Sequence, residues 1–310
     1  MPRRRTILAL VPAGLVALAG RHALAQPADS VPWSSGTERP KLVVSPGAAD
    51  CHHHIYDGRF PVAGGAKPAD ATAADYLKLQ HRLGVSRHVA VQPSAYGVDN
   101  SCLVDALKTF GKSARGVAVV NTDVTDAELK RLHAAGVRGI RFNFAPAGAT
   151  TPEMMVPLSR RIAALGWHVQ LHAAADQILA LADVFPKLAC PLVIDHMAHV
   201  PEPAGVSHPV FALALKLLAG GRTWVKLSAA YADTKVGAPS YADVGAVARA
   251  YVKAAPERLV WGSDWPHPSE AADHKPDDAR LLDLLAEWAP DPKVRHRVLV
   301  ENPAKLYRFA

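Results

Sequence analysis

The chain has 310 residues, 49% of them hydrophobic and 20% charged, which fits a soluble globular protein able to bury a large core. Its formal charge of +7 includes Arg3, Arg4, Arg5 and Arg21, and without those four arginines it falls to +3, too mild and too evenly spread for a nucleic-acid surface. The three cysteines, Cys51, Cys102 and Cys190, are odd in number and widely spaced, so a disulfide framework is excluded and three small buried hydrophobes is the simplest reading.

In chain order, the first segment reads as an address. Met1 to Arg5 is basic, Thr6 to Gly20 is mostly apolar, and Ala23-Leu24-Ala25 offers a small-x-small cleavage site. Arg4-Arg5-Thr6-Ile7-Leu8 matches the twin-arginine pattern. The alternative is a membrane anchor, but Pro12, Gly14 and Gly20 break an apolar run already short of the roughly 20 residues a span needs. Residues 1–25 are therefore expected to be a cleaved export signal that delivers the protein to the periplasm, with no membrane attachment afterwards. Residues 26–46, rich in Pro, Ser and Gly, read as an extended arm.

From residue 47 a unit of strand, polar loop and amphipathic stretch recurs. Strands are expected over Ala49–Tyr56, Ser86–Gln92, Arg115–Asn121, Val137–Phe144, His168–His172, Leu192–Met197, Thr223–Ser228 and Arg258–Gly262. Between them lie helices such as Ala73–Leu83, with Tyr76, Leu79 and Leu83 at helical spacing, and Thr125–Ala135. Gly84, Gly136 and Gly166 follow helices where a left-handed C′ residue is wanted. About eight such units predict an α/β fold, a (β/α)₈ TIM barrel over 47–310, with extra C-terminal helices over Asp291–Val300 and Asn302–Tyr307. A doubly wound open sheet is the alternative, and the lack of a glycine-rich phosphate loop leaves nucleotide binding unsupported.

Asp50-Cys51-His52-His53-His54 lies on the first predicted strand, where alternation puts His52 and His54 on one face and His53 on the other. Two adjacent imidazoles are natural ligands for a divalent transition metal, although a His-x-His pair alone is common. His172, Asp195, His196 and Asp264 end the fifth, sixth and eighth predicted strands, and in a barrel such ends surround one mouth. Any one of them taken alone reads as a satisfied core polar group; together they read as a catalytic site.

Asp50-x-His52-x-His54, Gly139-Ile140-Arg141-Phe142-Asn143-Phe144, Val193-Ile194-Asp195-His196-Met197, Val225-Lys226-Leu227-Ser228 and Trp261-Gly262-Ser263-Asp264-Trp265-Pro266-His267 resemble the amidohydrolase family, in particular its pyrone-dicarboxylate lactonase and sugar-lactone branches. The match runs from about Lys41 to the C-terminus. The resemblance implies a distorted barrel and lactone chemistry. Many members carry a carboxylated lysine at the end of strand four to bridge two metals; Arg141 and Asn143 stand there instead, which argues against a binuclear centre. Two arginines of the pyrone-dicarboxylate enzymes are also missing, replaced by Ala145-Pro146-Ala147-Gly148 and Ala230-Tyr231-Ala232-Asp233, so that dianion is a poor candidate. Those enzymes lack a strand-five histidine and can work without metal, whereas His172 is present here.

The expected site is thus one divalent ion, Zn²⁺ first, held by His52, His54 and His172 with Asp264 on or near it. Such an ion lowers the pKa of a water toward about 7. Asp264 would act as general base and His196 would polarise the scissile carbonyl. Arg141 would anchor a carboxylate or sulfonate, with Asn143, Gln92, Ser94, Tyr96, Lys226, Ser228 and Tyr231 as further substrate contacts and His199 and His267 at the rim. The expected partner is a small anionic lactone, with self-association left open. A metal-independent lactone isomerase and a periplasmic binding protein on an inactive barrel are the alternatives.

Overall fold

The computed structural model describes residues 30–144 and 148–309. Residues 1–25, where an export signal is expected, the start of the arm, residues 145–147 and Ala310 lie outside them. Among the described residues no helix is long and apolar enough to cross a membrane.

Eight strands form one all-parallel sheet in sequential order: β1 (Ala49–His53), β2 (Arg87–Val91), β3 (Ala114–Ala118), β4 (Val137–Asn143), β5 (His168–His172), β6 (Leu192–Ile194), β7 (Thr223–Leu227) and β8 (Leu259–Trp261). Helices α1 (Ala73–Leu83), α2 (Ser101–Phe110), α3 (Asp126–Ala134), α4 (Met155–Ala163), α5 (Ala175–Ala180) and α6 (Pro209–Ala219) cross over between successive strands. Two helices, α7 (Ala230–Asp233) and α8 (Ala242–Ala254), link β7 to β8, and α9 (Asp278–Trp288), α10 (Pro292–His296) and α11 (Asn302–Tyr307) follow. This is a TIM barrel with extra C-terminal helices.

Local chemistry explains the elements. α1 starts at a capping box in which Thr72 and Asp75 satisfy each other's backbone N–H, ends at Gly84 (φ 74°), and buries Tyr76, Leu79 and Leu83 against the sheet. All the expected strands but β5 run shorter, and β1, β3 and β6 each end three residues early. β6 stops at Ile194 because His196, Met197, Ala198 and His199 all take positive φ (49°, 53°, 63° and 45°), a left-handed turn no strand can continue through. β1 stops at His53, after which Tyr56 pairs with Ala71 across the loop. The helix expected over Asp291–Val300 is interrupted by a π turn at Arg297–Glu301. The three cysteines are free and buried.

β1 carries a bulge: its register against β2 shifts between Asp50 and His53. Cys51 joins the apolar interior with Val89, Val117, Val193 and Val260, while Asp50 turns the other way to accept from the Tyr76 hydroxyl at 3.0 Å. His53 follows Asp50 outward and stacks on Tyr76 at 3.5 Å, leaving His52 and His54 to the barrel's mouth.

The seam is closed by the segment after β8. Asp264 N donates to His52 O and His54 N donates to Trp265 O, each at 2.8 Å. Asp50 accepts from Ser263 N (2.9 Å) and Ser263 Oγ (2.6 Å), locking that segment onto β1. A Cβ on Gly262 would sit 2.6 Å from the Cβ of His52, so the approach requires glycine. The other end of the barrel is filled from the C-terminus, where Leu306, Tyr307 and Phe309 join the interior beside Trp224.

Three histidines away from the mouth are fully buried: His53, His88 and His168. Burial pushes His88 and His168 down to about 3, and lowers His53 well below its usual range. The folded state keeps them neutral, while the unfolded chain takes up protons below about pH 6.5. Stability is therefore whole above pH 6.5 and is lost as pH falls toward 3, by about 1.4 kcal/mol per pH unit for each histidine. Urea unfolding midpoints measured from pH 7.5 to 4.5 should fall steeply below 6.5. A flat profile would mean that these imidazoles charge without cost.

Candidate active site

Five side chains meet at the C-terminal mouth of the barrel. Nε2 of His52 lies 3.3 Å from Nε2 of His54, and Asp264 Oδ1 faces both at 3.4 and 3.6 Å and His196 Nε2 at 3.8 Å. His172 stands beside His196, ring centres 5.0 Å apart. Strand ends supply His52 and His172, and the turns just beyond β1, β6 and β8 supply His54, His196 and Asp264.

Below them lies a buried charged layer. Lys226 Nζ donates to Gln170 Oε1 (2.8 Å) and stands 3.1 Å from His52 Nδ1 and 3.4 Å from Asp195 Oδ1. Asp195 Oδ2 accepts from Gln170 Nε2 (3.0 Å) and Arg141 Nε (3.3 Å). Burial opposes charge on Asp195, but Lys226, His52 and Arg141 outweigh it and hold the carboxylate well below its usual range. Burial lowers Lys226, and Asp195 opposes that shift. This layer carries two cations and one anion, which with Asp264 leaves the site close to neutral before anything binds.

The donors fit a divalent cation. His54 Nδ1 is 2.8 Å from Val91 O, which fixes the proton there and leaves Nε2 a lone pair. His52 Nδ1 sits between Lys226 Nζ, a donor at 3.1 Å, and Asp195 Oδ1, an acceptor at 3.3 Å that has no hydrogen bond of its own; the tautomer protonated toward Asp195 is the one that frees the Nε2 lone pair of His52 as well. Burial, with Lys226 next, lowers His52 well below its usual range, so the ring is neutral as a ligand must be. Asp264 Oδ1 is buried and without a hydrogen bond, opposite both lone pairs. One carboxylate oxygen and two imidazole nitrogens within 4.8 Å of one another are a set of donors that could hold a divalent ion.

His172 is not part of that group. Its ligand atom clusters instead with those of His196 and His199, and His199 Nδ1 pairs with Asp233 at 3.0 Å. His196 is held from behind by Ser228 Oγ, 2.8 Å from Nδ1, and burial lowers it to about 4, so the ring is neutral near pH 7.

The second oxygen of Asp264 is also held. Tyr231 OH donates to Oδ2 at 2.5 Å, His267 Nδ1 lies 3.2 Å from the same hydroxyl, and His267 Nε2 pairs with the buried Asp278 at 3.1 Å. Burial opposes charge on Asp264, yet His196, His54 and His52 favour it more and keep it well below the carboxylate range. Asp264 and His267 have φ of 63° and 56°, values costly for non-glycine residues and concentrated here around the mouth.

Above these groups opens a cavity of about 520 Å³. Arg141, Asn143, Ser94, His54, His172, His196 and Asp264 line it. Other residues expected to touch substrate do not line the cavity. Gln92 is fully buried and donates to Asp99 O at 2.6 Å; the Tyr96 hydroxyl is taken by the backbone of Asp57. Lys226 and Ser228 lie behind His52 and His196, and Tyr231 reaches Asp264 from the side. Strand alternation aims these side chains correctly, but the sequence does not show the depth at which each stops. Asp195 was legible as a strand-end residue of the mouth and Gln170 only as a polar strand residue, and their pairing needed the register β4–β5–β6. Trp33, Tyr56 and Lys275 also line the cavity, and nothing in the spacing of the arm or of the last loop marked them.

The amidohydrolase family model matches residues 49–309. The chain is 38% identical to a 2-pyrone-4,6-dicarboxylate hydrolase of Comamonas testosteroni, over 89% of this chain and 94% of that one. It is 38% identical to a 4-sulfomuconolactone hydrolase of Rhizobium radiobacter (86% and 91% covered) and 33% identical to a D-galactarolactone isomerase of Agrobacterium fabrum (89% and 96%). Among solved structures, an apo protein of Agrobacterium tumefaciens superposes with a TM-score of 0.83 at 31% identity, covering 90% of this chain and 99% of that one.

Proposed function

The chain belongs to the amidohydrolase family, and we propose that it is a metal-dependent lactonase that opens the ring ester of a small anionic lactone. That it is a hydrolase acting on ester bonds, and that its substrates are lactones, follows the relatives it matches along most of its length. The observation that carries the finer reading is the unpartnered, buried Oδ1 of Asp264, 3.4 to 3.8 Å from Nε2 of His52, His54 and His196 at the floor of the cavity.

His52, His54 and Asp264 would hold one divalent ion, Zn²⁺ by ligand type. When bound, the ion supplies Lewis-acid polarisation and eases deprotonation of water. The chain's own residues do the rest. Asp264 takes a proton from water as its oxygen bonds to the lactone carbonyl carbon, and returns it to the ring oxygen as that C–O bond breaks. Tyr231, donating to Oδ2, fixes the carboxylate so that Oδ1 does this work. His196, neutral and oriented by Ser228, donates from Nε2 to the developing oxyanion. Arg141 engages Asp195 through Nε, which leaves its two terminal nitrogens for a substrate carboxylate or sulfonate. His172, in the neighbouring histidine cluster, is better placed to bind substrate or water than to complete the first ligand set.

The test is proton release from a panel of anionic lactones, with metal measured on the same preparation. Acid release with stoichiometric metal supports the proposal. Conversion to an isomeric lactone without acid supports a metal-independent isomerase, and tight binding without turnover supports a binding protein. The proposal extends to location: residues 1–25 export the enzyme by the twin-arginine route, so replacing Arg4 and Arg5 by lysine should leave precursor in the cytoplasm. Normal periplasmic yield from that variant would reject the route.

A further inference from the structure

Two walls of the cavity differ sharply in chemistry. The inner wall holds the histidines, Asp264 and Arg141. The outer wall includes Trp33, Pro68, Ala69, Ala71, Pro266 and Pro268. Trp33 comes from the N-terminal arm and is fixed in place: its backbone has φ 65°, and its indole Nε1 donates to Asp70 O at 2.8 Å. The arm is itself fastened over the mouth. Trp265 Nε1 donates to Pro32 O (2.7 Å), Ser35 N to Pro276 O (3.0 Å), and buried Arg82 binds the carbonyls of Ser35, Gly36 and Glu38. A tryptophan held in a strained backbone by this many bonds is a built surface.

Cations are scarce. Among the described residues the lysines and arginines lining the cavity are Arg141 and Lys275. Lys275 Nζ donates at 2.6 Å to His267 O and at 2.6 Å to Glu270 O, and lies 5.8 Å from the centre of the Trp33 ring. Two of its three donors are therefore engaged, and it serves to tie the last loop to the arm. One anion has a bidentate partner in Arg141; a second would find no free cation there, only an ammonium already bound, neutral side chains such as Ser94, Asn143 and Ser269, or apolar carbon. Sugar hydroxyls against tryptophan, alanine and proline would lose water without gaining partners.

We propose that the substrate is an amphipathic monoanion: a lactone with one carboxylate or sulfonate at Arg141 and an alkyl or aryl substituent packed against the Trp33 wall. This rests on the lactonase reading above and narrows it. A cavity of about 520 Å³ has room for such a substituent beyond a compact five- or six-membered ring.

The test uses a five-membered-ring lactone carrying one carboxylate, with hydrogen, butyl or phenyl on the far ring carbon, beside the unsubstituted dicarboxylate. kcat/KM is measured for each, and Kd for the corresponding lactams, which are not turned over. The butyl and phenyl lactones should exceed the unsubstituted monoanion and the dianion by at least about tenfold, since each buried methylene is worth severalfold. Trp33→Ala should collapse that ratio, and Trp33→Phe should largely keep it. Equal or better turnover of the dianion, or a ratio indifferent to Trp33→Ala, would overturn the proposal while leaving lactone hydrolysis standing. If no lactone is hydrolysed the lactonase reading fails, and the lactam Kd series still decides whether the wall selects an apolar group.

Discussion

Asp264→Asn is expected to lower kcat by at least about 10²-fold, because a positioned acid–base group typically contributes 10² to 10⁴. Asparagine keeps the shape and one oxygen to face His52 and His54, but it cannot take a proton from water. The measurement that separates a base from a mere ligand is metal content alongside rate. If Asp264 mainly moves the proton, the variant keeps most of its metal, with the amide oxygen completing the set of His52 and His54, and KM changes little because Arg141 is untouched. If Asp264 is chiefly a ligand, metal and rate fall together and added zinc restores both. Full turnover with full metal would exclude both roles and move the search for a base to His196, whose Nε2 is 3.8 Å from the same oxygen.

Much of this was legible in the sequence because barrels turn local pattern into global geometry. The strand-and-helix alternation led to the eight-stranded parallel sheet, and the span of β5 (His168–His172) follows from its apolar residues and from Gly166 (φ 66°) before it. Once strand ends share one mouth, His52, His54, His196 and Asp264 must come near each other. Three things were not legible. The β1 bulge places Cys51 and His52 both toward the interior, which strict alternation forbids. The left-handed run at His196–His199 carries no glycine, so composition gave no sign that β6 would end early. The arm contributes Trp33 through bonds to residues as distant as Pro276, a relation without local periodicity. These are tertiary effects, and each falls at the mouth, where local rules give way to function.

His52→Ala tests the metal proposal at its centre and should have the larger effect. His52 is fully buried, its Nε2 meets His54 and Asp264, and its Nδ1 reaches the Asp195–Lys226 pair beneath. Alanine removes one proposed ligand and leaves two, too few for a stable site of this type. Bound metal in the purified protein should fall to a small fraction of wild type, and kcat should drop by at least about 10³-fold, equivalent to some 4 kcal/mol of lost transition-state stabilisation. The fold should survive, since the seam is held by the backbone bonds Asp264 N to His52 O and His54 N to Trp265 O, which alanine retains. The cost to stability is that of a small buried cavity beside an ion pair, about 2 to 4 kcal/mol, visible as a lower melting temperature with unchanged circular dichroism. Gln170→Ala is the control: it disturbs the same buried layer one step below, through Lys226 and Asp195, without removing a ligand. If both variants lose activity in proportion to stability, the histidine is only packing. If His52→Ala alone loses metal, the ion is part of the machinery. Turnover unchanged in His52→Ala would end the metal proposal and leave Asp264 and His196 to work as a metal-free pair.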